Sequence, residues 1–426
     1  MNAMQPLIDE LKWRGLLHQC THDDLGDILE KTPQTVYAGF DPTADSLHVG
    51  SLLPIIGLMH FQRHGHRPIA LLGGGTGMIG DPSGKSEERI LLDDEALRSN
   101  VAGIRLQLDQ FLDFDGDEGA LLLNNADWLA SFTLVEFLRD IGKHFSVNAM
   151  LMKDSVRTRL EDRDHGISFT EFSYSLLQAS DFLQLYQDHG CQVQIGGSDQ
   201  WGNIVAGMDL IRRKEQADAY GLTLPLVEKS DGTKFGKTES GTVWLDANRT
   251  SPYHFYQFWL NQSDADVSRW LRAFTFLPQD EIESLEQSLA DAPHERVAHR
   301  KLAEEVTRMV HGDGALQNAM RASKAMFGGD LNGLDDATLE DVFSEMPSSV
   351  RPRSELSDGR AVVDVLVECE VFKSKGEARR MIDSGGVYLN NDRIALDATF
   401  GKNSLVSEHI AVVRKGKKNY HLLRFE

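Results

Sequence analysis

Cysteine is nearly absent from this 426-residue chain: only Cys20, Cys191 and Cys369 occur, an odd number with no CxxC pair. That excludes a disulfide framework, argues against protein-bound zinc, and fits a reducing compartment with three packing thiols. No run of eighteen apolar residues occurs, and Asp9, Glu10, Lys12 and Arg14 interrupt the first segment where a secretory core would be apolar. A cytoplasmic protein without membrane contact is therefore expected. Cations are also scarce, with 44 Lys and Arg against 65 Asp and Glu and a net charge of −21. Such a balance counts against general nucleic-acid binding. Its distribution qualifies that reading, because Gly359 to Glu426 holds 12 Lys/Arg against 9 Asp/Glu, leaving +3 there and −24 elsewhere. An acidic body with a basic tail repels RNA generally yet offers it one landing surface. On charge alone, Lys415, Lys417 and Lys418 serve solubility equally well.

What is present reads as a globular protein of roughly two to three domains. Leu7, Ile8, Leu11 and Leu17 have helical spacing. Thr35–Phe40, Pro68–Leu72 and Gln192–Ile195 read as buried strands, with an apolar helical stretch from His48 to Arg63 interrupted at Pro54. Strands alternating with helices over residues 1–247 predict an α/β, doubly wound, Rossmann-like parallel sheet. Residues 248–327 then read as helical, with Gly312 and Gly314 marking a stop. Residues 328–357 are rich in Gly, Asp, Ser and Pro and read as a linker with a helix at Thr338–Phe343. Residues 358–426 read as a small α+β domain.

Two segments carry the chemistry. Asp45 or Ser46 can cap a helix near His48, pointing free N–H groups outward as an anion site, with Thr43 and His48 as donors and Gly50 allowing close approach. An HxG triplet alone is usually a capped helix with a surface histidine. Lys234-Phe-Gly-Lys237-Thr238 places two lysines around a glycine after the turn Asp231-Gly232; alone, it is usually a solvated loop tip. Gly75-Thr-Gly77-Met-Ile-Gly80 matches GxGxxG literally, but Asp81-Pro-Ser-Gly84 follows where a helix should begin, which disfavours a dehydrogenase. Tyr174, Gln178 and Asp181 share one helix face.

In this order, Tyr37-Ala-Gly-Phe-Asp41-Pro-Thr-Ala-Asp-Ser-Leu-His48-Val-Gly50, Tyr174xxxGln178xxAsp181, Gln194-Ile-Gly-Gly197-Ser-Asp199-Gln200 and Lys234-Phe-Gly-Lys237-Thr238 resemble the bacterial-type tyrosyl-tRNA synthetases of class I. The resemblance implies a fold, an ATP-dependent activation of tyrosine, and transfer of the amino acid to tRNA(Tyr). It implies that Tyr37 and Asp181 bond the phenolic hydroxyl and that Asp81, Tyr174 and Gln178 hold the ammonium group, with Gln200 near the carboxylate. Asp41, His48, Gly50, Ser51, Gly197, Asp199, Lys234 and Lys237 are implied on ATP. Thr43, His48, Lys85, Arg89, Lys234 and Lys237 would stabilise the departing pyrophosphate, accompanied by Mg²⁺ without a protein cage. Ser51 stands where the family usually has a second histidine, with shorter reach and no charge. Ser374–Asn390 resembles an S4 RNA-binding domain, with Lys375, Arg379 and Arg380 toward RNA. A homodimer is implied, and the apolar run Trp128–Met152 is the expected contact, though core is an equal reading. The alternatives are the sister tryptophanyl enzymes and a weakened paralogue that only binds RNA.

Overall fold

The computed structural model describes residues 5–83, 92–116, 118–153, 156–157, 160, 166–233, 235–238, 241–326, 328–344, 346–357, 359–416 and 419–426, with only the backbone described at 237–238. Two compact units form: Met1–Arg249 with Gln262–Ala298, and Thr250–Asn261 with His299–Glu426.

The first unit is built on six strands: β1 (Gln19–Cys20), β2 (Thr35–Phe40), β3 (Arg67–Leu72), β4 (Leu121–Asn124), β5 (Cys191–Gly197) and β6 (Tyr220–Leu224). Their order is β1-β6-β5-β2-β3-β4. From β2 the chain winds outward to β3 and β4 on one side and returns to β5 and β6 on the other, so the winding reverses between β2 and β5. The sheet is not wholly parallel as expected, because β1 pairs antiparallel with β6 through Gln19↔Thr223 and Cys20↔Leu222. A two-residue edge strand needs no crossover helix to reach its partner, and such edges are common on otherwise parallel sheets. The strands β2 and β3 are nearly continuous apolar runs because both faces are covered.

The helix Leu52–Arg63 begins after a 3₁₀ turn at Val49–Ser51. Pro54 does not kink it. It sits in the first turn, where its missing N–H has no intrahelical partner to lose. Helix Phe169–His189 is capped by Ser168, which accepts from Glu171 N, and ends at Gly190 with φ 61°. Its buried face packs Ala179, Phe182, Leu183 and Leu185 with Tyr37, Ile69 and Leu71 from β2 and β3.

Contacts cross the expected boundary after residue 247. Helices Asp264–Phe274 and Gln279–Asp291 belong to the sheet unit. The buried Arg14 guanidinium holds that return segment, donating to the carbonyls of Arg272 (3.1 Å), Thr275 (2.8 Å) and Leu277 (3.0 Å). In the second unit, the helix Val297–Ala325 runs on past the expected stop, with Gly312 (φ 79°, ψ 171°) breaking its geometry internally. The segment read as a linker supplies helix Asp336–Val342 and strand Ser348–Arg351. Leu331, Leu334, Leu339, Val342 and Phe343 pack there with Ile410, Val412 and Leu422. The strand pairs parallel with Asn419–Phe425 at the edge of a five-stranded sheet. Gly, Asp and Pro mark turns in this stretch, but the leucines between them were the stronger signal. No helix among the described residues is long and apolar enough to cross a membrane.

Arg14→Met should leave three carbonyls short of a donor and destabilise the first unit by roughly 2–4 kcal/mol. Urea denaturation followed by tryptophan fluorescence would measure the loss.

Candidate active site

Parallel strands end side by side where the winding reverses, and the carboxyl ends of β2 and β5 there flank a crevice. A cavity of about 550 Å³ lies at this point, lined by Tyr37, Asp41, His48, Gly50, Ser51, Thr76, Asp81, Asn125, Tyr174, Gln178, Asp181, Gln194, Gly197, Asp199 and Gln200 among others. Five sequence segments from Tyr37 to Gln200 thus converge on one volume. Thr43 is exposed and does not line the cavity. Lys85, Arg89 and Lys234 lie outside the described residues. The backbone of Lys237 pairs with Thr242 in a two-residue hairpin.

At the closed end, Tyr37 faces Gln194 across β2 and β5 in register. The Tyr37 hydroxyl and Gln194 Oε1 are buried and have no hydrogen-bond partner among the described residues. Asp181, also buried, accepts from Asn125 Nδ2 on Oδ2 (2.9 Å) and from Trp128 Nε1 on Oδ1 (2.8 Å). Burial pushes its carboxyl up to about 8, against the lowering pull of those two donors. Burial, then the proximity of Asp181, raises the Tyr37 phenol well above its ordinary range. This end of the cavity is polar but disfavours charge.

Further along, the Tyr174 hydroxyl donates to Asp41 Oδ2 (2.8 Å) and Thr76 Oγ1 donates to Asp41 Oδ1 (2.7 Å). Asn125 ties this network to the closed end, donating from Nδ2 to Thr76 Oγ1 (3.0 Å) as well as to Asp181. Gln200 Nε2 donates to Asp81 Oδ2 (2.7 Å) and Asp199 Oδ2 (3.3 Å), and Ser83 N donates to Asp81 Oδ1 (2.9 Å). Carboxylates therefore alternate with amides and hydroxyls along the wall. Lys153 lies behind it: its buried Nζ has no partner among the described residues, and burial pulls the ammonium down to about 8 while Asp81 pulls it up.

At the other end, Gly50 N donates to His48 Nδ1 (3.0 Å). A neutral imidazole accepting there carries its proton on Nε2, which makes that nitrogen a donor. A Cβ on Gly50 would lie 2.9 Å from the His48 ring, and one on Gly197 would lie 2.5 Å from Asp199 Oδ1. The GxGxxG match has a packing explanation. A Cβ on Gly75 would lie 3.0 Å from Leu129 Cδ1 and one on Gly77 would lie 3.0 Å from Pro42 Cδ, while Gly80 has φ 85°. The match itself contains a 3₁₀ turn, Thr76–Met78.

Lys375, Arg379 and Arg380 are exposed on helix Lys375–Asp383 of the second unit, capped by Ser374. Lys375 Nζ pairs with Asp364 Oδ1 at 2.8 Å. Sequence reasoning missed Thr76, Asn125, Trp128 and Gln194. The signal for Asn125 was the Leu-Leu-Leu-Asn-Asn run, a buried strand ending in amides. Trp128 was assigned to the apolar run, where its indole N–H was overlooked.

Because Asp181 keeps its proton in the folded state up to about pH 8 but releases it near pH 4 when unfolded, its contribution to stability is lost as pH rises through that window. Asn at this position does not titrate. Thermal unfolding of the ligand-free protein should show Asp181→Asn gaining stability relative to wild type as pH rises from about 5 to about 8.

Residues 29–328 match the family described as tRNA synthetases class I (W and Y), and residues 338–423 match the Tyrosine--tRNA ligase SYY-like C-terminal domain. A tyrosine--tRNA ligase of Roseiflexus castenholzii is 56% identical over 427 residues, covering 99% of this chain and 100% of that one. A C-terminally truncated mitochondrial tyrosyl-tRNA synthetase of Aspergillus nidulans superposes with a TM-score of 0.69 at 32% identity, over 76% of this chain and 95% of that one. Its Coccidioides posadasii counterpart gives 0.66 at 33%, over 75% and 92%. With this extent of agreement in sequence and fold, the chain belongs to the class I tRNA synthetases of the tyrosine and tryptophan group.

Proposed function

We propose that this chain is a tyrosine–tRNA ligase, activating L-tyrosine with ATP and passing it to the terminal adenosine of tRNA(Tyr). The observation that carries the amino-acid choice is the closed end of the cavity, where the buried Tyr37 hydroxyl lacks a partner beside Asp181. A tyrosine phenol placed there supplies the missing hydrogen bond. Phenylalanine would leave these groups unpaired, a logic for which tyrosyl-tRNA synthetases are themselves the standard illustration. Asn125 and Trp128 orient the Asp181 carboxyl for this purpose.

Asp81, Tyr174 and Gln178 hold the substrate ammonium, and Gln200 sits near its carboxylate. That carboxylate attacks the α-phosphorus of ATP and expels pyrophosphate. The nucleophile is already ionised, so no general base is needed; positioning and charge stabilisation carry the rate. His48, Gly50 and Ser51 receive phosphate or ribose oxygens, and Gly197 and Asp199 receive the nucleoside. Lys85, Arg89, Lys234 and Lys237 act on the pyrophosphate, with Mg²⁺ arriving on the phosphates. Thr43, which is exposed, is assigned to the same group as a hydroxyl donor. Lys375, Arg379 and Arg380, on an S4-like domain, contact tRNA backbone.

A homodimer completes the proposal. The apolar run Trp128–Met152 divides in two: Ile141 and Met150 are buried, while Leu134, Val135, Leu138, Val147, Leu151 and Met152 are exposed, joined further on by Phe169. So much exposed apolar surface marks an interaction site.

Three measurements test this. Wild type should catalyse ATP–pyrophosphate exchange with tyrosine, and neither tryptophan nor phenylalanine should substitute; absence of tyrosine-dependent exchange refutes the ligase. Asp181→Ala should lose selectivity for tyrosine over phenylalanine, and unchanged selectivity removes Asp181 from that role. Sedimentation at micromolar concentration should give a dimer that Val135→Asp weakens, whereas a monomeric wild type refutes that contact.

A further inference from the structure

The helix Asp264–Phe274 does not line the cavity, yet it grips the segment that carries the lysine pair at three points. Arg269 Nη2 donates to the Glu228 carbonyl at 2.5 Å. The buried Asp266 accepts from Ser230 N (3.0 Å) and Ser230 Oγ (3.1 Å). Phe235 is buried between Trp270 and Phe274, with ring centroids 4.8 Å and 5.4 Å away; the Phe274 ring is stacked, at 21°. Phe235 also lines the cavity, so one side chain touches both the reaction space and the helix.

The next residue is fixed from the other side. Gly236 has φ 79°, and a Cβ there would lie 2.7 Å from Val49 Cγ2. Its carbonyl accepts from Val243 N (2.9 Å), and the Val243 carbonyl accepts from Val49 N (3.0 Å). The dipeptide Phe235-Gly236 is thus held between an aromatic cage and the turn that carries His48 and Gly50, with Lys234 before it and Lys237 after it in sequence.

We propose that Phe235 is a positioning residue for adenylate formation: its seat between Trp270 and Phe274 fixes Phe235-Gly236, the dipeptide that joins Lys234 to Lys237 in sequence. This rests on the ligase reading. Phe235 itself carries no donor or charge, so it acts through the two lysines. An aromatic ring suits the role because a flat side chain with two torsions, stacked on one neighbour and tilted on another, has few alternative placements. The amino-acid end of the cavity lies on other elements and does not depend on this cage.

The test is tyrosine-dependent pyrophosphate exchange, together with equilibrium tyrosine binding, on full-length wild type, Phe235→Ala and Phe235→Leu. Phe235→Ala should lower kcat roughly 10- to 100-fold, the scale expected for misplaced catalytic groups, with tyrosine Kd within about twofold. Phe235→Leu keeps the apolar fill and loses the stack; its fall should be smaller, roughly 3- to 10-fold. Unchanged kcat in a folded Phe235→Leu overturns the proposal. So does a tyrosine Kd that weakens in proportion to kcat, which would make the ring merely structural. A wild type without exchange fails the ligase reading instead, so the two failures are distinct.

Discussion

The site depends on a carboxyl group held out of water. Asp181 sits where a charge is costly, and its two donors come from the far end of the same β4–β5 connection: Asn125 and Trp128 follow β4 directly, while Asp181 lies on Phe169–His189, which leads into β5. Neither side makes the arrangement alone. The sheet must place β3 and β4 beside β2 for the amide and indole to arrive at the right depth, and the helix must pack Phe182 and Leu185 for the carboxyl to be buried at all. Burial raises the stakes of each hydrogen bond, since a lost donor there is not replaced by solvent. The same network continues through Thr76 to Asp41 and Tyr174, so the closed end of the cavity is joined to the next stretch of its wall.

The electrostatics of the described wall are acidic. Asp41, Asp81, Asp181 and Asp199 all line the cavity. Hydroxyls, amides, an indole and a backbone N–H donate to them, and the buried Lys153 ammonium interacts with Asp81. This suits an ammonium and resists a triphosphate. Under the proposed function, the phosphates are therefore assigned to the His48–Gly50 turn and to Lys85, Arg89, Lys234 and Lys237.

Much of this was legible in the sequence where spacing alone fixes geometry. Tyr174, Gln178 and Asp181 share a helix face by periodicity, and the strands Thr35–Phe40 and Pro68–Leu72 follow from short apolar runs. What could not be read depends on packing at a distance. Asn125 and Trp128 meet Asp181 across more than fifty residues of chain. The glycines at 75 and 77 resembled a nucleotide fingerprint because the same absence of a side chain also lets Leu129 and Pro42 pack close to that turn. The edge strand β1 is too short for any pattern. Family resemblance supplied residue roles that spacing does not contain, and it did not supply the amide and indole behind them.

The parallel pairing of Ser348–Arg351 with Asn419–Phe425 has a consequence for synthesis. A ribosome makes the first of these strands some seventy residues before the second, and the central strand Ile410–Lys415 also needs that last strand as its neighbour. The tail's sheet therefore closes only when residues 419–425 have left the ribosome, and a nascent chain stalled earlier presents an unpaired edge.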